Sequence, residues 1–167
     1  GGVGKTTLAQ AVYNHERVKG HFQETAWVCV SQNFSVEDLI IEIIESITEN
    51  KCDLSNLDTL QVVVKKFLTK KVFLLVLDDV WNEDSWERFC APLRWFGSGS
   101  RVLVTTRDEK IAQMIGNPIP LGGLDEASAW KLFKKCAFGS EDAGEFPDLE
   151  AIASFVVNYA GGLPLAA

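Results

Sequence analysis

Apolar positions along this 167-residue chain follow two alternating rhythms. Three unbroken runs rich in β-branched and aliphatic residues predict strands covered on both faces. They are Thr25-Ala26-Trp27-Val28-Cys29-Val30, Val72-Phe73-Leu74-Leu75-Val76-Leu77 and Arg101-Val102-Leu103-Val104-Thr105-Thr106. Between them, apolar residues recur at three and four positions, the period of a helix face. Leu39, Ile40, Ile43, Ile44 and Ile47 form one such stripe, with Ser35 as its predicted N-cap and Asp38 three residues on. Leu60, Val63, Val64, Phe67 and Leu68 form a second, and Trp86, Phe89 and Leu93 a shorter third. Residues 5–18 and 109–115 also read as helical. The second strand is predicted to stop at Asp78-Asp79 and the third at Arg107-Asp108. This alternation argues for βαβ units and a largely parallel sheet. Pro118 to Leu121 are expected to add one last small strand, after which the pattern is helical only, over roughly 125–137 and 148–160. That change places a subdomain boundary near Gly122-Gly123.

Composition narrows the class. With 47% hydrophobic residues the chain reads as one globular domain, and no apolar run nears the ~20 residues that span a bilayer. No transmembrane segment is therefore expected, and an intracellular, cytoplasmic setting is. Sixteen basic residues against 23 acidic ones give a net charge of -7, which repels a phosphate backbone; no direct nucleic-acid contact is expected. The four cysteines, Cys29, Cys52, Cys90 and Cys136, include no C-x-x-C pair, so reduced and mostly packed thiols are expected rather than a zinc site.

The chemistry begins at the first residue. Gly1-Gly2-Val3-Gly4-Lys5-Thr6-Thr7 supplies the end of G-x-x-x-x-G-K-[ST], in which backbone N–H groups converge on phosphates, the lysine reaches the β and γ phosphates, and the hydroxyl joins Mg²⁺. A glycine-rich turn that merely caps a helix is the alternative for this stretch alone. About 70 residues later, Leu74-Leu75-Val76-Leu77-Asp78-Asp79 carries two acids to the carboxyl edge of a parallel sheet, where α/β folds bind ligands. One acid can hold Mg²⁺ through water and the other can orient a nucleophilic water; two acids facing solvent would be the bland reading. Thr105-Thr106-Arg107 ends another strand, where a guanidinium could sense a γ-phosphate, or simply pair with Asp108 or solvent.

Two short matches carry little. Asn50-Lys51-Cys52-Asp53 fits the N-K-x-D pattern that reads guanine, but it follows a helix and precedes Asp78, and no D-x-x-G follows Leu77. Asn33-Phe34-Ser35 fits a glycosylation acceptor in a chain with no sign of secretion. The five tryptophans divide as well: Trp27, Trp86, Trp95 and Trp130 fall in or beside apolar patterns and are expected to pack, while Trp81, just past the acids, could close a surface between subdomains.

These blocks together resemble the NB-ARC domain of plant disease-resistance proteins of the nucleotide-binding, leucine-rich-repeat type. Gly1 to Thr7 is similar to the phosphate loop, Phe22 to Gln32 to the next family block, and Leu74 to Trp81 (LLVLDDVW) to the acidic-strand motif. Gly99 to Arg107 is similar to the sensor block, Leu124 to Phe138 to the following helix, and Gly162-Leu163-Pro164-Leu165-Ala166 to the GLPLA motif. Trp81 after Asp-Asp-Val, with the Trp27 block, resembles the non-TIR subclass with an N-terminal coiled coil.

The resemblance implies an α/β fold: a P-loop NTPase parallel sheet whose first strand would precede Gly1, followed by the start of a helical ARC subdomain. Residues 1–122 would be the nucleotide-binding subdomain, truncated at its N-terminus, and 123–167 the ARC subdomain, truncated at its C-terminus. The implied function is an ADP/ATP switch of a plant immune receptor, off with ADP and on with ATP, hydrolysing ATP slowly with Mg²⁺ in defence signalling. Gly2, Val3, Gly4, Lys5, Thr6, Thr7, Arg107 and Pro164 would bind the nucleotide, Thr6 and Asp78 the Mg²⁺, Asp79 would position water, and Arg107 would sense the γ-phosphate. The partners implied are the coiled-coil and leucine-rich-repeat domains of a longer parent, which would oligomerise on activation. A nucleotide-locked scaffold with incidental turnover, or another P-loop ATPase of the signal-transduction class, are the alternatives; a P-loop kinase would need a phosphoacceptor pocket or an arginine-bearing lid, and neither is legible. Because the resemblance places the missing strand centrally, between the strand ending at Thr106 and the one near Pro118 to Leu121, the chain alone is expected neither to fold stably nor to bind ATP well.

Overall fold

Each of the three apolar runs forms a strand. In the computed structural model, β1 (Glu24–Cys29), β2 (Phe73–Val80) and β3 (Arg101–Thr106) make a parallel sheet of order β1-β2-β3. The description covers residues 2–31, 35–81, 83–138, 159 and 161–166. They belong to two units, Thr6–Pro118 and Gly1–Lys5 with Ile119–Ala167.

In the larger unit β2 is the middle strand, and Phe73 to Leu77 are all buried, as a strand covered on both faces requires. Side chains alternate across it. Phe73, Leu75 and Leu77 join the larger core with Ala26 and Val28 of β1, Leu39, Ile40 and Ile43 of α3 (Val36–Thr48), and Leu60, Val64 and Leu68 of α4 (Leu57–Leu68). Phe89 of α5 (Glu83–Leu93) and Ile111 of α6 (Glu109–Ile115) close that layer. Leu74 and Val76 face the other way, packing with Ala9 of α1 (Lys5–Asn14) and flanked by Tyr13, Phe22, Trp27 and Leu103. The stripe from Leu39 to Ile44 is thus a helix face pressed on the sheet, and its start is fixed locally. Ser35 is extended, its hydroxyl accepts from the Asp38 N–H at 3.0 Å, and the Asp38 carboxylate accepts from the Ser35 N–H at 2.9 Å.

The turn before β3 is set by close backbone approach. A Cβ on Gly97 would stand 2.4 Å from the Lys71 carbonyl oxygen, so only glycine fits there. The Gly97 N–H donates to that oxygen at 3.1 Å, and the Ser100 hydroxyl accepts from the Phe73 N–H at 2.9 Å. These bonds lock the start of β3 to that of β2 and so fix which residues meet at their far ends.

Several expectations need correction. The helix over 5–18 is broken: α1 ends at Asn14, and α2 (Glu16–Lys19) restarts after an extended His15, whose ring accepts from the Arg17 N–H at 3.2 Å. Side-chain capping by His15 there competes with continuation of the first helix. β2 does not stop at Asp78-Asp79 but continues to Val80 through a register shift after Leu77. Pro118 to Leu121 form no strand; Pro118 and Pro120 have no N–H to donate, and Ile119 is 86% exposed. None of the four free cysteines is buried, Cys29 and Cys136 being exposed. The tryptophans pack as expected: Trp86 and Trp95 line the larger core, Trp27 meets Tyr13 edge-on at 5.6 Å, and Trp130 stacks with Phe133 at 5.7 Å.

In the smaller unit, α7 (Glu126–Phe138) starts at Asp125, whose carboxylate accepts from the Ser128 N–H at 2.9 Å and the Ser128 hydroxyl at 2.7 Å. The Leu124 N–H donates to the Gly162 carbonyl at 2.7 Å, and Pro164–Ala166 form a single 3₁₀ turn. The helix predicted over 148–160 lies, apart from Tyr159, outside the described residues, as do Asn33 and Phe34. No described helix is long and apolar enough to cross a membrane.

Candidate functional site

The turn ahead of α1 has a conformation that glycine alone adopts without strain. Gly2 has φ +83° and Gly4 φ +94°, both left-handed. A Cβ on Gly2 would also meet the Cβ of Leu165 at 3.0 Å, and one on Gly4 would stand 4.0 Å from Pro164 Cγ. The Leu165 N–H donates to the Gly2 carbonyl at 3.2 Å. The smaller unit therefore brings Pro164 and Leu165 of the GLPLA stretch against the glycine turn. Val3 and Lys5 are half-buried, Lys5 is the first residue of α1, and Thr6 and Thr7 follow it, both exposed.

Within the larger unit the two acids occupy different settings. Asp78 is 7% exposed and held from both sides. The Thr6 hydroxyl lies 3.0 Å from each of its carboxylate oxygens, and the Thr105 hydroxyl donates to Oδ1 at 2.5 Å. Hydrogen bonds of this kind stabilise a buried charge that would otherwise be costly. Asp79 is half-buried with φ +62°, left-handed and unusual for a side-chain-bearing residue. It sits in the bulge between Leu77 and Val80, and such bulges re-aim a side chain next to active sites. Its N–H is not left bare: it donates to the Thr105 hydroxyl at 2.9 Å.

One hydroxyl therefore serves both acids. Thr105 is 6% exposed and stands at the end of β3, accepting from Asp79 and donating to Asp78. Beside it the Thr106 hydroxyl donates to the Val80 carbonyl at 2.9 Å and accepts from the Asp108 N–H at 3.1 Å. These bonds hold the ends of β2 and β3 together where the regular ladder has been interrupted.

Arg107 pairs neither with Asp108 nor with solvent alone. Its Nε and Nη2 donate to the two Asp79 carboxylate oxygens at 3.1 and 3.3 Å. Its guanidinium carbon lies 5.1 Å from the centre of the Trp81 ring, whose N–H donates to the Val30 carbonyl at 3.2 Å. Asp108 instead caps α6, accepting from the Lys110 N–H at 2.7 Å. Asn50 to Asp53 lie in the loop between α3 and α4, where Lys51 and Asp53 form an exposed pair at 4.0 Å.

The larger unit thus joins Thr6, Asp78, Asp79 and Arg107 in one hydrogen-bonded group through Thr105, and the smaller unit joins Gly2 and Gly4 to Pro164 and Leu165. Thr105 and the Trp81 ring as an arginine platform went unread in the sequence. A signal for Thr105 existed: a hydroxyl at the buried end of one apolar strand, beside a strand ending in acids, must find a polar partner. Chemically, each unit offers its own donors. Left-handed glycines ahead of a lysine are the type of turn whose N–H groups suit an anion. In the larger unit, a hydroxyl set against a buried carboxylate is the type of oxygen pair that suits a divalent cation.

Comparison with known proteins fits this chemistry. The NB-ARC domain family matches residues 1–143. The chain is 44% identical over its whole length to Disease resistance protein RGA2 of Solanum bulbocastanum, covering 18% of that protein. It is 38% identical over 99% of its length to Putative disease resistance RPP13-like protein 1 of Arabidopsis thaliana, covering 16% of it. The chain spans less than a fifth of the length of these curated relatives.

Proposed function

Because the chain belongs to the NB-ARC domain family, we propose that it is the ADP/ATP-binding switch of a plant disease-resistance receptor, closed with ADP and open with ATP. One observation carries the reading most: Thr6, two residues past the glycine turn, donates to Asp78 across 72 residues of sequence. In this reading the N–H groups following Gly2 and Gly4 and the Lys5 ammonium hold phosphate oxygens. The Thr6 hydroxyl and the Asp78 carboxylate would hold a Mg²⁺, Asp78 directly or through water. Mg²⁺ bound there supplies charge neutralisation on the phosphate oxygens. Asp79 accepts a hydrogen bond from a water and orients it for slow hydrolysis, and Arg107 donates to the terminal phosphate. Pro164 packs near the adenine, so nucleotide and glycine turn share one contact with the ARC subdomain, which begins near residue 123.

A ligand shifts such a switch only through contacts that differ between states, and the γ-phosphate is such a contact. The nucleotide-locked scaffold keeps a specific point in its favour. Asp79 is engaged by Arg107, so its carboxylate is not free to orient water in this arrangement, and low turnover follows. In both readings the chain works inside the cell, within a longer protein bearing coiled-coil and leucine-rich-repeat domains that oligomerises when activated.

The test uses the full-length protein carrying this chain. Lys5→Arg should lose nucleotide binding, because the planar fork cannot reproduce a compact ammonium between two phosphates. Asp79→Ala should retain binding and hydrolyse more slowly. Normal nucleotide binding by Lys5→Arg would overturn the site.

A further inference from the structure

Trp81 stands one residue beyond β2 and is 41% exposed. An exposed indole normally has nothing to fix it, but here its N–H is tied to Val30 at 3.2 Å and its face carries the Arg107 guanidinium at 5.1 Å. The same guanidinium reaches both oxygens of Asp79. The three side chains line an open cleft of about 410 Å³. An exposed ion pair is poorly held by itself, because solvent and side-chain entropy oppose it. An indole behind the pair changes that: it is the aromatic face that attracts a cation most, and it removes one face of the guanidinium from water.

We propose that Trp81 is a positioning residue that stores Arg107 on Asp79, so that the guanidinium masks the Asp79 carboxylate until a terminal phosphate draws it away. The proposal rests on the switch reading above. Three consequences follow from the geometry. Nε and Nη2 present one edge of the guanidinium to Asp79, so a terminal phosphate that takes the same edge has to displace the carboxylate, while ADP, which brings no terminal phosphate there, does not. The ring therefore biases the protein toward ADP by whatever it contributes to the stored state. Removing Arg107 from Asp79 also uncovers the carboxylate that would orient water, so sensing and activation become one movement.

The experiment again uses the full-length protein, labelled with 5-fluorotryptophan; the Trp81 resonance is the one lost in Trp81→Phe. In nucleotide-free protein, Arg107→Ala should shift that resonance. ATP with Mg²⁺ should shift it in the same direction, and ADP should leave it in place. Competition binding supplies the second readout: Trp81→Ala should raise the affinity for ATP relative to ADP about two- to five-fold. In an Arg107→Ala background the same change should leave that ratio unaltered, which a purely structural role for the indole would not predict. An Arg107→Ala protein with an unmoved Trp81 resonance overturns the stored contact. A stored contact that persists with ATP bound, or a Trp81→Ala protein with an unchanged ATP to ADP ratio, overturns the release. Binding of neither nucleotide by the unmodified protein overturns the switch reading and the release with it, while the shift on Arg107→Ala still upholds the contact.

Discussion

Replacing Thr105 tests the idea that one buried hydroxyl organises both acids. Thr105→Val keeps the shape of the side chain and adds apolar surface at a position only 6% exposed. Counted by area alone it should be neutral or stabilising, by about 0.8 kcal/mol for the added carbon. It also deletes a bond to a buried carboxylate and leaves the Asp79 N–H without its partner. A hydrogen bond to a charged group contributes about 1.5–3 kcal/mol, and an orphaned donor costs about 1–3 kcal/mol. Thr6 still donates to Asp78, and half-buried Asp79 can recover some hydration, so both costs fall near their lower ends. The net loss is about 2 kcal/mol. Thr105→Ser keeps both bonds and loses a methyl, at about 1 kcal/mol. The order of stability is therefore Thr, Ser, Val, whereas burial alone orders them Val, Thr, Ser. Amide exchange by mass spectrometry on the full-length protein reads local opening of peptides covering residues 74–80 and 101–106. Protection should fall about 30-fold in the valine variant and about 5-fold in the serine variant. Valine protection equal to or above that of the unmodified protein would refute the hydroxyl's role.

Two further outcomes follow from local geometry. Ser35→Ala removes the cap of α3 and should lower stability by about 1 kcal/mol; Asp38→Ala added to it should cost much less than it does alone, because both belong to one reciprocal pair. Additive costs in denaturant unfolding would sink that coupling. The Asp125 carboxyl is held below its ordinary range, first by the Ser128 hydroxyl and then by backbone N–H groups at the start of α7. A lowered carboxyl contributes stability that is present above its unfolded value and is lost as pH falls through the lowered one. Helix α7 should hence loosen only below about pH 4. Ser128→Ala should raise the Asp125 midpoint toward its usual value in a carboxyl ¹³C titration, and an unmoved midpoint would refute the cause.

What was legible in the sequence was whatever depends on local periodicity. The runs from Leu74 to Leu77 and from Val102 to Val104 could only be strands covered on both faces, and the stripe from Leu39 to Ile44 fixed which helix face meets them. Ser35 and Asp38 announced their own cap. The glycine turn, the acid pair and Arg107 were legible as residue types at the ends of strands and helices, and the structure places them there. What escaped was tertiary or conformational. A cap at His15 overrode helix continuation. Prolines 118 and 120 denied donors to a segment whose apolar residues suggested a strand. Nothing in a run of Leu-Asp-Asp-Val announces that the second acid will take a left-handed φ, because that depends on the Thr105 hydroxyl receiving its N–H from another strand.

That left-handed φ explains why adjacent acids can have separate roles. In a regular strand, Asp78 and Asp79 would project to opposite faces, and both would spend their N–H groups on the ladder. A non-glycine residue with φ +62° is strained by about 1–2 kcal/mol. The bonds from Asp79 N–H to Thr105 and from its carboxylate to Arg107 offset that strain, and the two partners differ in kind. Thr105 is buried and fixed, so the backbone of Asp79 stays bulged whatever binds. Arg107 is exposed and held by an ion pair and a ring, so the carboxylate alone is free to change partner. The bulge thereby divides the pair: Asp78 is locked between Thr6 and Thr105, while the Asp79 carboxylate meets only an exposed guanidinium, the difference on which the proposed cation and water roles rest. Straightening the bulge would remove that division, and Thr105→Val, which releases the Asp79 N–H, is the substitution that allows it.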